Sequence, residues 1–342
     1  MKQYLFLTIQ LFLLFGLAVP AQTAPIPTLD SPAKYRPRAL TNNSTSVDNG
    51  LGRVVTLGHR GDISNVKARL QSRRTSTSRK TVRLGAINKR ITSKTVMIID
   101  ADSGETIFAK APDTPRQPAS TIKVLTGMIA IKSLKNNDMI GVTRHASRMP
   151  RSKVYLDTKK QYKADDLINA VLLASANDAS VALAEKIAGS ERDFARMMTL
   201  RAKLWGARKT ICRTANGLTA KGQQSTARDL AQIFRHAMQD QEFARRMKRT
   251  KIKTSYGTTL RSHNKALWRV KGALGGKTGY TNAARQTYVG KFERGEDSIV
   301  VAIMGSETMW TDIKRLVDYG FKKKEKMKLA KLARAETASL RN

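Results

Sequence analysis

The sequence predicts an α+β domain. It should hold one antiparallel sheet of five strands, flanked by helices, with a helical block inserted between the second and third strands. Three observations lead there. β-branched apolar runs open the patterned region at 95–110 and return near its far end. Between them the hydrophobic period changes to that of helices. One more helical stretch follows the last strand-like run. Strands from both ends then meet in one sheet, with helices packed on it.

The elements follow in order. "TVMIID" (95–100) reads as a buried strand, "ADSG" (101–104) as a turn and "ETIFAK" (105–110) as its partner. Asp-Ser-Gly between two such runs is a hairpin signal. The loop "DTPRQPAS" leads into a helix from about Ser120 to Leu134. "ADDLINAVLLASANDASVALAEKIA" (164–188) predicts two helices broken around Ser175–Asn177, the second capped by Asn177 or Asp178. "ERDFARMMTLRAKLWG" (191–206) is an amphipathic helix ended by Gly206, and "STARDLAQIFRHAMQD" (225–240) is another, with Ser225 as N-cap. "WRVKGALGGKTG", "RQTYVGKFER" and "SIVVAIMGS" read as strands with Gly turns, and "MWTDIKRLVDYGFK" (309–322) as a closing helix.

The flanks differ in composition. Residues 1–24, "MKQYLFLTIQLFLLFGLAVPAQTA", join a charged start to an apolar run and then small residues. That order fits a secretory signal peptide better than a span, which needs about 20 apolar residues. Cleavage after Ala21 is favoured over Ala24, and an uncleaved anchor is the alternative. The protein is therefore expected in the periplasm or at the outer face of the inner membrane. Residues 25–91 read as a basic disordered linker rich in Ser, Thr, Asn, Lys and Arg, with "RVVTL" (53–57) as one strand-like run. Residues 322–342 read as a basic tail. Its apolar stripe (Phe321, Met327, Leu329, Leu332, Leu340) is thin, which favours adsorption by charge over insertion.

Charge and cysteine usage narrow the function classes. The 63 Lys+Arg against 26 Asp+Glu leave a formal charge of +37. Such an excess points to a polyanion: nucleic acid, an anionic membrane or a wall polymer. Export argues against nucleic acid, so peripheral association with a membrane or wall surface is expected. A single cysteine, Cys212, excludes an intrachain disulfide and a cysteine-based zinc site. It reads as a small buried residue. The four histidines (His59, His145, His236, His263) are scattered, so no metal or cofactor is expected.

The chemistry lies in three short motifs. In "PASTIK" (118–123), Ser120 and Lys123 share a helix face at i and i+3. Burial and the positive potential of a helix start both disfavour an ammonium there. A neutral lysine beside a hydroxyl is a nucleophile–base pair. S-x-x-K alone is a weak signal. "SAN" (175–177) at the helix break and "KTG" (277–279) at a strand strengthen it. The three motifs in that order are the signature of penicilloyl serine transferases.

Longer stretches extend the match. They include "PASTIKVLTG", "DDLINAVLLASANDASVALAEKIAGSERDFARMM", "ANGL" (215–218), "STARDLA" (225–231) and "GGKTGYTNAA" (275–284). Through them the chain resembles the D-alanyl-D-alanine carboxypeptidases, the low-molecular-mass penicillin-binding proteins of serine peptidase family S11. The resemblance implies a β-lactamase/transpeptidase-like fold with the catalytic domain at 92–321. It implies peptidoglycan stem peptides ending in D-Ala-D-Ala as substrate and β-lactam antibiotics as covalent inhibitors. Ser120 would attack and Lys123 would take its proton. Ser175, with Lys277, would pass a proton to the leaving amine, and Asn177 would orient Lys123 and the substrate amide. Lys277 and Thr278 would bind the terminal carboxylate. Gly279 would let the strand approach, and the N–H groups of Ser120 and Tyr280 would form the oxyanion hole.

The chain also departs from its relatives. Ala176 stands where many have Gly. His263 stands where many have Arg, so the carboxylate clamp is expected to be weaker or pH-sensitive. Arg285, eight residues after Lys277 on the expected active-site strand, is either a further carboxylate contact or an outward structural arginine. Trp268 is expected near the site, and Trp205 and Trp310 in packing. A DD-endopeptidase cutting cross-links would use the same residues. A class A β-lactamase would need an E-x-x-L-N glutamate, and no acid between the second and third motifs has that context. A non-catalytic cationic protein binding wall polymer or nucleic acid is the reading from a different class. The complete set of motif residues speaks against it.

Overall fold

The computed structural model describes residues 87–339. The expected signal peptide, the linker up to residue 86, "RVVTL", His59 and Leu340 lie outside the described residues. The sheet comprises β1 (Thr95–Asp100) and β2 (Thr106–Lys110), then, after the helices, β3 (Ala273–Thr281), β4 (Arg285–Arg294) and β5 (Asp297–Ser306). All pairings are antiparallel, in the order β2–β1–β5–β4–β3. β1 from the start of the fold pairs with β5 from its end, with Val96 opposite Ile303 and Ile98 opposite Val301. β3, which carries "KTG", is therefore an edge strand.

The helices of nine or more residues are α1 (Lys123–Ser133), α2 (Ala164–Leu172), α3 (Asn177–Ala188), α4 (Glu191–Leu204), α5 (Ala227–Ala237) and α6 (Met309–Ser339). Strand alternation divides the core in two. Met97 and Ile99 of β1 and Val300, Ala302 and Met304 of β5 pack with α1–α5. Val96, Ile98, Ile299, Val301 and Ile303 face the other way, onto Ile313, Leu316 and Val317 of α6. This explains the unbroken apolar run of β5, which is covered on both faces. α1 is buried all round from Lys123 to Ala130, as expected for a central helix with no solvent face.

Several details differ from the sequence expectation. Ser120 sits in a 3₁₀ turn (Ala119–Ile122), and the α-helix proper starts at Lys123. α3 has no side-chain cap, because both candidates are engaged elsewhere. Asp178 accepts from Val154 N (3.1 Å) and Leu156 N (3.2 Å), and Asn177 is bonded to Lys123. Thr226 rather than Ser225 caps α5, accepting from Asp229 N at 3.0 Å, while the Ser225 hydroxyl lies 2.9 Å from Thr210 Oγ1. The start of "WRVKGALGGKTG" is part of a helical turn (Ala266–Arg269), and β3 begins only at Ala273.

Two expected boundaries also shift. Ile87 and Ile91, at the end of the segment read as linker, are buried in the α6-side core. The closing helix does not stop at 322 but runs through the basic segment to Ser339. Lys324 explains part of that continuation: its ammonium is 2.6 Å from Asp100 Oδ2 and 3.2 Å from Asp297 Oδ1. Beyond it Leu329 and Leu332 are exposed, in keeping with a thin apolar stripe. Among the described residues no helix is long and apolar enough to cross a membrane.

Candidate active site

Three chain segments converge on one cleft of about 440 Å³. Ser120 comes from the 3₁₀ turn before α1, Ser175 and Asn177 from the break before α3, and Thr278, Gly279 and Tyr280 from edge strand β3. Lys123 and Lys277 lie beneath them, fully buried. Two of these positions carry backbone strain. Ala119 (φ 50°) and Ser175 (φ 59°) are non-glycine residues in the left-handed region, a cost of order 1–3 kcal/mol each that clusters at functional sites.

The Lys123 ammonium position is set by three neighbours. Nζ donates to Asn177 Oδ1 (2.7 Å) and to Asn216 O (2.6 Å), and lies 2.9 Å from Ser120 Oγ. Asn177 Nδ2 donates to Pro150 O at 2.9 Å, which fixes the amide with its oxygen toward the lysine. Burial, then the charge of Lys277, hold Lys123 well below the usual lysine range. A neutral amine has two N–H groups. The two obligate acceptors, Asn177 Oδ1 and Asn216 O, take both. The lone pair is left facing Ser120 Oγ, positioned to receive its proton.

Lys277 is the second buried lysine. Its Nζ donates to Ser175 Oγ (2.8 Å) and to Thr278 O (3.1 Å), and burial lowers it to about 7. Near neutral pH both of its protonation states are accessible. Ser175 thus bridges Lys277 and the cleft. His263 also lines the cleft. One side of the residue is open to solvent, but partial burial and the charges of Lys277 and Lys123 lower it to about 4. At neutral pH it is uncharged and adds no positive charge to a carboxylate clamp.

Glycines bring the walls together. A Cβ on Gly279 would lie 2.5 Å from Thr287 Oγ1 and 2.8 Å from Ser120 N, so the β3 backbone runs directly against the nucleophile's own N–H. Thr287 Oγ1 donates to Pro118 O at 3.1 Å, tying β4 to the same turn. Gly217 (φ +79°) presses on the other side: a Cβ there would come within 2.1 Å of Ala119 O.

Arg285 is not at the site. The hairpin turn falls at 282–284, so Arg285 opens β4 rather than continuing β3. Its guanidinium is half-exposed and paired with Glu307 at 2.5 Å. That pair corrects the substrate-contact expectation in favour of the outward structural arginine. Trp268 is exposed and does not line the cleft. Trp205 stacks on His236, Trp310 packs edge-on against Tyr288, and His145 lies 3.4 Å from Glu191. Cys212 is buried and pushed up to about 12, which makes it inert.

Residues without an assigned role in the sequence reading also appear. Asn216 contributes only its carbonyl, which no side-chain pattern announces. Gly217 had a signal, since Asn-Gly favours positive φ. Arg151 and Ser152 also line the cleft, from a loop with no periodic pattern.

Comparison with known proteins gives a consistent result. The Peptidase S11 family model, D-alanyl-D-alanine carboxypeptidase, matches residues 81–308. D-alanyl-D-alanine carboxypeptidase DacB2 of Mycobacterium tuberculosis is 35% identical over 240 residues, spanning 67% of this chain and 82% of that protein. A crystal structure of a D-alanyl-D-alanine carboxypeptidase from Mycobacterium tuberculosis superposes with TM-score 0.65 at 33% identity, over 68% of this chain and 91% of that one. Penicillin-binding protein D2 of Listeria monocytogenes in its cefotaxime-bound form superposes with TM-score 0.62 at 25% identity, over 68% of this chain and 98% of that one.

Proposed function

This chain belongs to the S11 family of D-alanyl-D-alanine carboxypeptidases and is a serine-type enzyme of that class; from this premise we propose how its residues divide the work. Ser120 Oγ attacks the carbonyl of the penultimate D-Ala of a peptidoglycan stem peptide as its proton passes to Lys123 Nζ. The oxyanion that forms is held by the N–H groups of Ser120 and Tyr280. The C–N bond then breaks, and Ser175, hydrogen-bonded to Lys277, delivers a proton to the departing D-Ala amine. Water later attacks the Ser120 ester and frees the shortened peptide. Lys277 and Thr278 receive the terminal carboxylate, and Asn177 aligns the substrate amide. No step requires a metal or cofactor.

The observation that carries this reading is the geometry around Lys123. Two fixed acceptors, Asn177 Oδ1 and Asn216 O, hold Nζ 2.9 Å from Ser120 Oγ. β-Lactams present the same acyl carbon to the same serine, and the likeness to a cefotaxime-bound penicillin-binding protein supports that extension. The signal-like residues 1–24 and the cationic flanks support action outside the cytoplasm, against an anionic membrane or wall surface.

The test uses fluorescent penicillin together with a pentapeptide stem and a cross-linked dimer. Wild-type protein should be labelled covalently on Ser120 and should release D-Ala from the pentapeptide. Ser120→Ala should do neither. Labelling retained by Ser120→Ala would overturn the assignment, and cleavage confined to the dimer would make the enzyme an endopeptidase.

A further inference from the structure

The cleft has basic side chains beneath it and in its lining, and no carboxylate among its lining residues. Lys123 and Lys277 are buried next to it, and Arg151 is among its lining residues. The placement of Arg151 is built rather than incidental. Asn177 Nδ2 donates to Pro150 O (2.9 Å), and Asn177 N donates to Ser152 O (2.7 Å). The carbonyls on either side of Arg151 are thus bonded to the residue that orients Lys123. Asp178 continues the attachment through Val154 N and Leu156 N. The backbone at 150–156 is pinned to the start of α3, while the Arg151 side chain is exposed.

That guanidinium is not engaged by an acid. Among the described residues Arg151 has no carboxylate within salt-bridge distance, and its one aromatic neighbour is the Tyr155 ring at 5.8 Å. The adjacent cation, Lys153, is occupied, donating to Ser147 O at 3.0 Å. Arg151 is the one lysine or arginine among the cleft's lining residues, and its donors are not taken by an acid.

Its position relates it to one part of the substrate. With the terminal carboxylate at Lys277 and Thr278, β3 continues away from that end through Gly279, Tyr280 and Thr281. Residues upstream of the scissile bond then run between this strand and other lining residues of the cleft, among them Asn177, Ser152 and Arg151. We propose that Arg151 forms a second anion-reading subsite, which takes a carboxylate on the acyl-donor segment of the peptide. The inference rests on the peptidase reading above and adds a preference for acidic stem peptides. A guanidinium pairs with carboxylate in a fork geometry that a single ammonium lacks. Because this arginine is exposed, the gain should be several-fold to about tenfold and should weaken with salt.

The test compares Nα,Nε-diacetyl-Lys-D-Ala-D-Ala with peptides carrying succinyl in place of either acetyl. Wild-type protein should favour a succinyl peptide in kcat/KM by several-fold, mostly through KM. Arg151→Gln should abolish the preference and Arg151→Glu reverse it, with Arg151→Lys between. Benzylpenicillin, which has no carboxylate on its acyl side, should acylate Ser120 at the same rate in all four proteins, showing that the fold and the nucleophile are intact. A wild-type enzyme indifferent to the succinyl group, or a preference unchanged in Arg151→Gln, would overturn the subsite. Failure of wild-type protein to release D-Ala from any peptide would overturn the peptidase reading instead.

Discussion

Lys123 poses a problem that charge alone does not resolve. An ammonium on the inner face of a fully buried helix would be costly unless paired, and no carboxylate touches it. The neutral form removes the cost, and the two N–H acceptors then direct its lone pair at Ser120. Lys123→Arg replaces this neutral base with a permanent cation and should lose about 10²–10⁴-fold in acylation rate by benzylpenicillin, because guanidinium stays protonated. Stopped-flow acylation measures this, and a near-normal rate would remove Lys123 from the chemistry. Lys277 makes the opposite demand, since its charge is needed to hold a carboxylate. Its ammonium is present below about pH 7 and is lost as pH rises through that value. For peptides, kcat/KM should fall on the alkaline side from about pH 7. A thioester without the terminal carboxylate should lack that limb, and a shared alkaline limb would show that Lys277 is not the carboxylate's partner.

At the scale of elements, the site depends on how closely three segments approach. Gly217 and Gly189 separate closeness from backbone conformation. Both have positive φ, but a Cβ on Gly189 meets nothing within 4 Å, whereas one on Gly217 meets Ala119 O at 2.1 Å. Gly189→Ala, at the C-terminus of α3, should cost about 1 kcal/mol and leave acylation unchanged. Gly217→Ala should cost more and also displace the turn that carries Ser120, so acylation falls further than stability does. Melting temperature and penicillin acylation, measured on both variants, check the contrast, and equal acylation in the two would remove the argument. The long periodic elements were legible in the sequence because burial repeats along them: β1, β5 and α1 through α5 lie where the patterns place them. Caps were less legible, since Ser225 and Thr226 both qualify and Asn177 and Asp178 were drawn to other partners. The motif residues could be read because side chains carry their chemistry. Asn216 and the loop at 150–152 hold the site largely through backbone carbonyls, which any residue type supplies. The outward role of Arg285 was not legible because its partner, Glu307, lies 22 residues on, beyond two strands.

At the scale of the whole molecule, the charge is distributed unevenly between fold and flanks. Residues 25–86 hold 12 Lys+Arg and three acids (Asp30, Asp48, Asp62). In the last helix some cations are tied to acids of the fold and others are not. Lys324, Lys328 and Lys331 are committed to Asp100, Asp297 and Glu105 on the turns of the sheet. Lys322, Lys326 and Arg334 are exposed and have no acid within salt-bridge distance among the described residues. If the excess positive charge serves to hold the enzyme against an anionic surface, the uncommitted cations should carry that task. Exposed charges act over about 8 Å at physiological salt, so the attraction should decline as salt rises. Deleting residues 25–86 and changing Lys322 and Lys326 to Gln spares Ile87, Ile91 and the Lys324 cluster, so the fold should persist. D-Ala release from a small soluble peptide should stay within about twofold of wild type, since surface changes are usually worth less than 0.5 kcal/mol. Co-sedimentation with anionic vesicles, and separately with intact sacculi, should fall in the altered protein and decline with salt in the wild type. Stronger retention on one of the two particles identifies the surface. Equal, salt-independent sedimentation of both proteins would show that the catalytic domain docks by its own face and that the flanks are solvated spacers.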